Sequence, residues 1–303
     1  MNRLRIGMVG LGSIAQRVYL PLLTREQEWS FAGVFTPNVS KRHAISSAYR
    51  VPEFASLADL IQGCDAAFVH SSTISHFEVV SQLLRHDIDV YVDKPLAATL
   101  DEAERLVELS QKTGCKLMVG FNRRFAPFYL KLKEQAPRAA WIRMEKHRRA
   151  GLNSTVAETL LDDYIHLVDT VRWLGETDTM QAQGWLQADE LNRLHYAYHT
   201  YTLPNNRLAT TAMHRQAGSD LELLELVTTG RIVRVRNMEI LEVEEEGACV
   251  VQTAAAWDTI LKRRGFEAAI NHFIRSILGD TIPLSNGEEA LKTQLLLTSL
   301  LNS

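Results

Sequence analysis

The first apolar run of the chain, Leu4-Arg5-Ile6-Gly7-Met8-Val9, ends directly in Gly10-Leu11-Gly12-Ser13-Ile14-Ala15. A buried strand that passes into a helix through G-x-G-x-x-A is committed to a βα unit. The first glycine permits the tight turn, the second lets backbone approach a pyrophosphate, and the small Ala15 lets the helix pack on the strand. Gly10, Gly12, Ser13 and Ile14 are therefore candidate contacts to dinucleotide phosphates, which backbone N–H groups and the helix dipole favour. The same pattern also serves as a tight βα turn with no ligand. Pro21 lacks a backbone donor and clashes with the preceding turn, so a bend is expected near Leu20.

Strands and helices then alternate. A strand over Ser30 to Thr36 is expected, but the acidic residue that grips the adenosine ribose in an NAD site is missing at its end. Thr36 is followed instead by Ser40, Lys41 and Arg42, which offer hydroxyl and cationic partners to a 2′-phosphate and favour NADP over NAD. The competing reading is that Lys41 and Arg42 only solvate a helix start. Ser56 caps a short helix from Leu57, and the apolar strand Ala66 to Val69 leads into a hydroxyl-rich loop. There Ser71, Ser72 and His76 are placed to line the cofactor's phosphate and ribose edge; His70 receives no role. Helices over Phe77 to Leu84 and Asp101 to Lys112 flank Val90-Tyr91-Val92, which ends in Asp93-Lys94-Pro95. This alternation defines a doubly wound parallel sheet, with Lys94 at a carboxyl strand edge, where such sheets place ligands.

The second half reads differently. Runs at Trp141 to Lys146, Met180 to Leu186, Tyr196 to Leu203, Leu208 to His214, Leu221 to Thr229 and Ile232 to Val235 suit a meandering sheet with one covered face, the other being a candidate oligomer surface. Two amphipathic helices, Phe266 to Leu278 and Glu288 to Leu301, close the chain. With 303 residues there is room for two domains at roughly 150 residues each. They are placed at 1–121 and 122–303, the last helices free to pack back on the first.

Composition narrows the partners. A formal net charge of −3 gives no basic field for nucleic acid, and Arg148-Arg149 reads as a solvated patch. Three separated cysteines suit a reducing compartment, and no apolar run is long enough to span a bilayer, so a cytoplasmic protein is expected. No metal is expected: His195 and His199 would lie about 13 Å apart along a strand.

Four motifs in order resemble the Gfo/Idh/MocA oxidoreductases: the N-terminal G-x-G-x-x-A, the Lys94-Pro95 pair, Gly120-Phe121-Asn122-Arg123-Arg124-Phe125, and Asp162-x-x-x-His166. Several stretches are similar to the MviM-like members. The resemblance implies a Rossmann domain followed by an α/β domain on an open, mainly antiparallel sheet that often joins copies into dimers or tetramers. It implies NAD(P)-dependent oxidation or reduction of a sugar, polyol or related carbonyl compound. Lys94, Asp162 and His166 match the catalytic residues, and Asn122 would lie near the nicotinamide. Two positions depart from the pattern. Asp93 replaces a glutamate, and Tyr164 replaces a glycine, which makes it the candidate specificity residue.

Residue chemistry agrees with these roles. At spacing i, i+4 a helix brings Asp162 beside His166, and Asp169 extends the polar stripe. A carboxylate next to histidine fixes its tautomer and stabilises the imidazolium. Lys94 can hydrogen-bond the reacting oxygen, and either Lys94 or His166 can carry its proton. Arg123 and Arg124 suit a substrate carboxylate or phosphate, or equally a structural salt bridge. A protein that senses the nucleotide without turnover is the rival expectation, since fold alone does not decide activity.

Overall fold

Five short parallel strands form the first sheet: β1 (Leu4–Val9), β2 (Trp29–Phe35), β3 (Ala66–Val69), β4 (Asp89–Val92) and β5 (Leu117–Val119). In this computed structural model they lie in the order β2-β1-β3-β4-β5. The order reverses between β1 and β3, which opens a crevice at the carboxyl ends of those strands. Residues 3–25, 27–178 and 180–301 are described; the outermost residues of the two expected domains, Met1 and Ser303, lie outside them.

Local chemistry fixes the crossovers. Ser56 and Asp59 form a reciprocal capping box on the helix Leu57–Gly63, and Thr99 and Glu102 do the same for Leu100–Thr113, satisfying donors that the first turn leaves unpaired. Gly114 ends the latter helix in the left-handed conformation at φ 74°. Around the expected bend, Ala15–Tyr19 forms a π turn and Leu20–Leu23 continues as α-helix with Pro21 in its first turn. The wider turn accommodates a residue that can neither donate nor fit against the preceding carbonyl.

Contacts divide the chain into two units, residues up to 120 with 269–291, and residues 121–268 with 292 onward. Phe273 joins the first because its ring meets Phe68 at 5.5 Å and Tyr91 at 5.7 Å in edge-on packing. Ser285 pairs with Val119 through both its backbone and its hydroxyl.

The second unit carries eight strands: β6 (Trp141–His147), β7 (Gln181–Ala188), β8 (Leu194–Leu203), β9 (Arg207–His214), β10 (Leu221–Thr228), β11 (Arg231–Arg236), β12 (Ile240–Glu245) and β13 (Ala248–Thr253). Their order is β13-β12-β11-β10-β6-β9-β8-β7. Each neighbouring pair is antiparallel except β6 and β9. Ile142, Met144 and Lys146 of β6 point inward, and the wholly buried helix Ile165–Gly175 packs on β6 and β9. The opposite face exposes Trp141, Trp185, Tyr196, Tyr198 and Leu208. The fold is thus a parallel Rossmann sheet followed by a mainly antiparallel one, as the sequence indicates. Among the described residues no helix is long and apolar enough to cross a membrane.

Candidate active site

In the first unit, the carboxyl ends of β1, β2 and β3 and the helix after β3 border one cavity of about 580 Å³. Gly10 has φ +87°, and a Cβ there would lie 2.4 Å from the Ser71 nitrogen, so the turn and its contact with the β3 loop both require glycine. Gly12 differs. A Cβ on it would meet only the His70 carbonyl, at 3.9 Å, so its backbone faces open space. Ser13 and Ile14 are exposed on the same turn, and Thr36, Lys41, Ser71 and Ser72 border the cavity. These groups fit a dinucleotide: a glycine cradle for pyrophosphate, hydroxyls, and one cation at the end of β2. The carboxylate that borders the cavity is Glu78, which comes from the helix His76–Leu84 rather than from β2.

Two cofactor expectations change. Arg42 is buried, its Nη1 donates to the Thr36 carbonyl at 3.0 Å, and its guanidinium lies over the Phe35 ring. It braces the β2 loop from inside instead of offering a charge to phosphate. His76 is buried as well, with Nδ1 2.9 Å from the Pro95 carbonyl and Nε2 3.3 Å from that of Ser71. Burial, working against those carbonyls, lowers its pKa and favours the neutral ring. A neutral ring has one N–H to give, and the shorter contact assigns it to the Pro95 carbonyl, so His76 braces the corner that carries Lys94 from beside the Ser71 loop.

At that corner the Lys94–Pro95 peptide is cis, and the Lys94 N–H donates to Asp93 Oδ1 at 2.8 Å. The shorter acid thus caps the backbone of the lysine. Its other oxygen lies 3.8 Å from His70 Nδ1. Burial would push the Asp93 carboxyl up, but His70, Lys94 and His76 outweigh it and hold the carboxyl below its ordinary value. His70, given no role from sequence, is thereby part of the setting of Lys94.

In the second unit, the segment with Asp162 is itself a π turn, Leu160–Tyr164, and His166 lies in the first turn of the helix that follows. Asp162 is exposed and His166 buried. π turns recur at functional positions in helices, and here one follows the glycine cradle while the other carries Asp162.

The structure assigns the remaining candidates to the interior. Tyr164 is wholly buried, with its hydroxyl 2.6 Å from Thr211 Oγ1 and 2.7 Å from His199 Nδ1, so it cannot select substrate by contact. Arg123 makes a two-pronged pair with Glu222 at 2.8 and 2.7 Å, and Arg124 another with Asp169 at 3.0 and 2.7 Å, all four residues being buried. Of the two readings of these arginines, the salt bridge holds, and Asp169 leaves the expected polar stripe to serve it. Asn122 donates its amide to the Arg264 carbonyl at 2.7 Å and is likewise committed to the protein.

Sequence reasoning missed a group around Asp163. Lys146, Arg148 and Arg215 all pair with its carboxylate. Arg148 thus belongs to an ion cluster rather than to a wholly solvated patch. The alternation of β6, which turns Lys146 inward among Ile142 and Met144, was the available signal.

A switch-point cavity behind a glycine cradle, joined in one chain to a second unit built on a mainly antiparallel sheet, defines the class of the NAD-binding oxidoreductases. The oxidoreductase family model with an NAD-binding Rossmann fold matches residues 4–121, and the model for the C-terminal domain of YceM-like proteins matches 127–246. The chain belongs to the Gfo/Idh/MocA oxidoreductase family. It is 42% identical to YceM of Salmonella typhimurium over 99% of this chain and 98% of that protein. The crystal structure of the dehydrogenase MviM from Clostridium difficile superposes with a TM-score of 0.95 at 43% identity, covering 99% of both chains. Inositol 2-dehydrogenase of Acidothermus cellulolyticus is 29% identical over 59% of this chain and 56% of its own length.

Proposed function

We propose that the chain is a nicotinamide-dependent dehydrogenase or reductase acting on a sugar, polyol or related carbonyl compound. The observation that carries this reading is the first unit's pairing of an open cradle at Gly12 with Lys94, an ammonium whose backbone is fixed by Asp93 at the carboxyl edge of β4. The cofactor, when bound, supplies or accepts the hydride. Lys94 then orients the reacting oxygen and stabilises its developing negative charge. On the same reading His166 is the second unit's proton-transfer group and Asp162 its support; acid–base help of this kind is worth about 10²–10⁴ in rate. The inositol 2-dehydrogenase relative supports a polyol or sugar as substrate.

NADP is the preferred cofactor on this reading. Lys41 and Thr36 stand at the end of β2, where no carboxylate follows the strand, and a 2′-phosphate is favoured by a nearby cation. The exposed aromatic face of β6 to β9 joins two or more copies, in keeping with the burial such a patch seeks.

Fluorescence titration with NADPH and NADH tests the cofactor, and substrate-dependent NADPH consumption or NADP⁺ reduction tests turnover. Lys94→Ala is expected to bind NADPH within about twofold of the parent and to lose at least about 10²-fold in turnover. Unchanged turnover would remove Lys94 from the mechanism. Nicotinamide binding with no turnover on any carbonyl or carbinol would leave a nucleotide sensor in place of an enzyme.

A further inference from the structure

The ion cluster around Asp163 is unbalanced. Lys146 Nζ and Arg215 Nη1 contact the Asp163 carboxylate, the latter at 2.5 Å, and Arg148 reaches it at 3.3 and 3.5 Å. Lys146 stands opposite Glu222 in the β6–β10 register, and Glu222 is already held by Arg123 on both oxygens and by the Tyr129 hydroxyl at 2.9 Å. Four cations therefore share two carboxylates in one largely buried group. Charges removed from water require partners, and among the described residues this group holds two more positive charges than negative ones. The Lys146 ammonium registers the excess, since burial and then repulsion from Arg123 bring its pKa down to about 8 in spite of the adjacent carboxylates.

Placement adds to the charge. Arg148 follows β6 and Arg215 follows β9, the one parallel pair of this sheet, so both leave their strands at the same edge. Asp163 lies next to Asp162 and three residues before His166, which puts that edge beside this unit's catalytic candidates. Arg215 is fixed by the Gly151 carbonyl at 3.1 Å. Arg148 is different: its side chain is 38% exposed and its contacts with Asp163 are the longest in the group. It is the member that a ligand can reach.

We propose that Arg148, backed by Arg215 and Lys146, is an anion subsite, and that the substrate carries a carboxylate or phosphate group which this subsite binds. The inference rests on the dehydrogenase reading and specifies its substrate class. A guanidinium presents a planar fork that matches either group in two-pronged fashion.

The test uses the full chain with saturating oxidised cofactor and a panel of matched sugars: D-glucose and D-galactose as neutral parents, their uronates and aldonates as the carboxylate arm, and their 6-phosphates as the phosphate arm. Binding is read by calorimetry and turnover by reduced nicotinamide absorbance. At least one acidic member is expected to exceed its neutral parent about tenfold to a hundredfold in affinity or kcat/KM, as a charge-assisted pair would give. Arg148→Gln should erase that preference chiefly through KM, and Arg148→Lys should restore part of it. If no acid outperforms its parent, or if Arg148→Gln weakens neutral and acidic members alike, the subsite is overturned. Cofactor binding in the same samples separates the two failures: its loss would sink the dehydrogenase reading, whereas its retention without acid preference would sink the subsite alone.

Discussion

His70 Nδ1 lies 3.8 Å from Asp93 Oδ2, and the same ring packs on Tyr19 at a tilt of 31°, with centroids 3.8 Å apart. The pair couples the end of β3 to the residue that caps the Lys94 backbone. Because His70 helps hold the Asp93 carboxyl below its ordinary value, removing the imidazole must raise it. His70→Leu, which keeps much of the volume, is expected to move the acid limb of the kcat/KM profile toward higher pH. An unmoved acid limb would show that Asp93 does not act through its charge.

The two glycines of the nucleotide turn should respond differently to the same methyl group. At Gly10 a Cβ meets backbone at 2.4 Å in a φ +87° conformation, whereas at Gly12 it points into open space. Gly10→Ala is expected to lower the melting temperature by several degrees, a loss of about 1–3 kcal/mol from strain. Gly12→Ala should melt like the parent and bind NADPH at least about tenfold more weakly, because the methyl occupies the approach to pyrophosphate. Calorimetric melting and fluorescence titration of both variants decide it.

Glu222 supplies a pH signature of stability. Burial pushes its carboxyl up, but Arg123 foremost, with Lys146 and Tyr129, brings it down to about 2. A folded value below the unfolded one, about 4.3, gives stability that is complete above that value and drains as pH falls toward 2. Urea denaturation of the parent should show this loss. Glu222→Gln should flatten that part of the profile while costing about 3–5 kcal/mol at pH 7, since Arg123 is left buried without its counter-charge. A steep acid loss in the variant equal to that of the parent would exclude Glu222 as its source.

Tyr164→Phe separates an interior role from a substrate contact. Its hydroxyl serves Thr211 and His199, whose ring is kept neutral by burial that lowers its pKa to about 4. The substitution is expected to cost about 1–3 kcal/mol of stability through the broken chain of hydrogen bonds, with KM within twofold of the parent. A large KM change at unaltered stability would return Tyr164 to the substrate.

Much of the architecture was legible because it depends on local pattern. The strand Ala66–Val69 is apolar throughout, Ser56 is a capping residue three positions before Asp59, and Pro21 marks its own irregularity. β12 and β13 were not legible. The first alternates only over the four residues Leu241 to Glu244 and is loaded with glutamates, which disfavour strands, and every residue of the second is exposed, so it shows no half-buried face. The site divides in the same way. The glycine cradle and Lys94 are written in contiguous motifs, whereas the partners of Tyr164, Arg123 and Asp169 are 35 or more positions away for every pair. Side-chain direction decided those assignments, and residue type alone does not carry it.

The parallel pairing of β6 with β9 has a consequence for how such a chain diversifies. Backbone N–H groups of Arg148 and Arg215 continue the hydrogen bonding past the two strand ends, donating to His214 and His195. Any residue but proline can do the same. The sheet at these two positions is therefore independent of side-chain type; the half-exposed Arg148 can change in relatives while the sheet is inherited unaltered, whereas Arg215, which holds Asp163 and the Gly151 carbonyl, is tied to the interior.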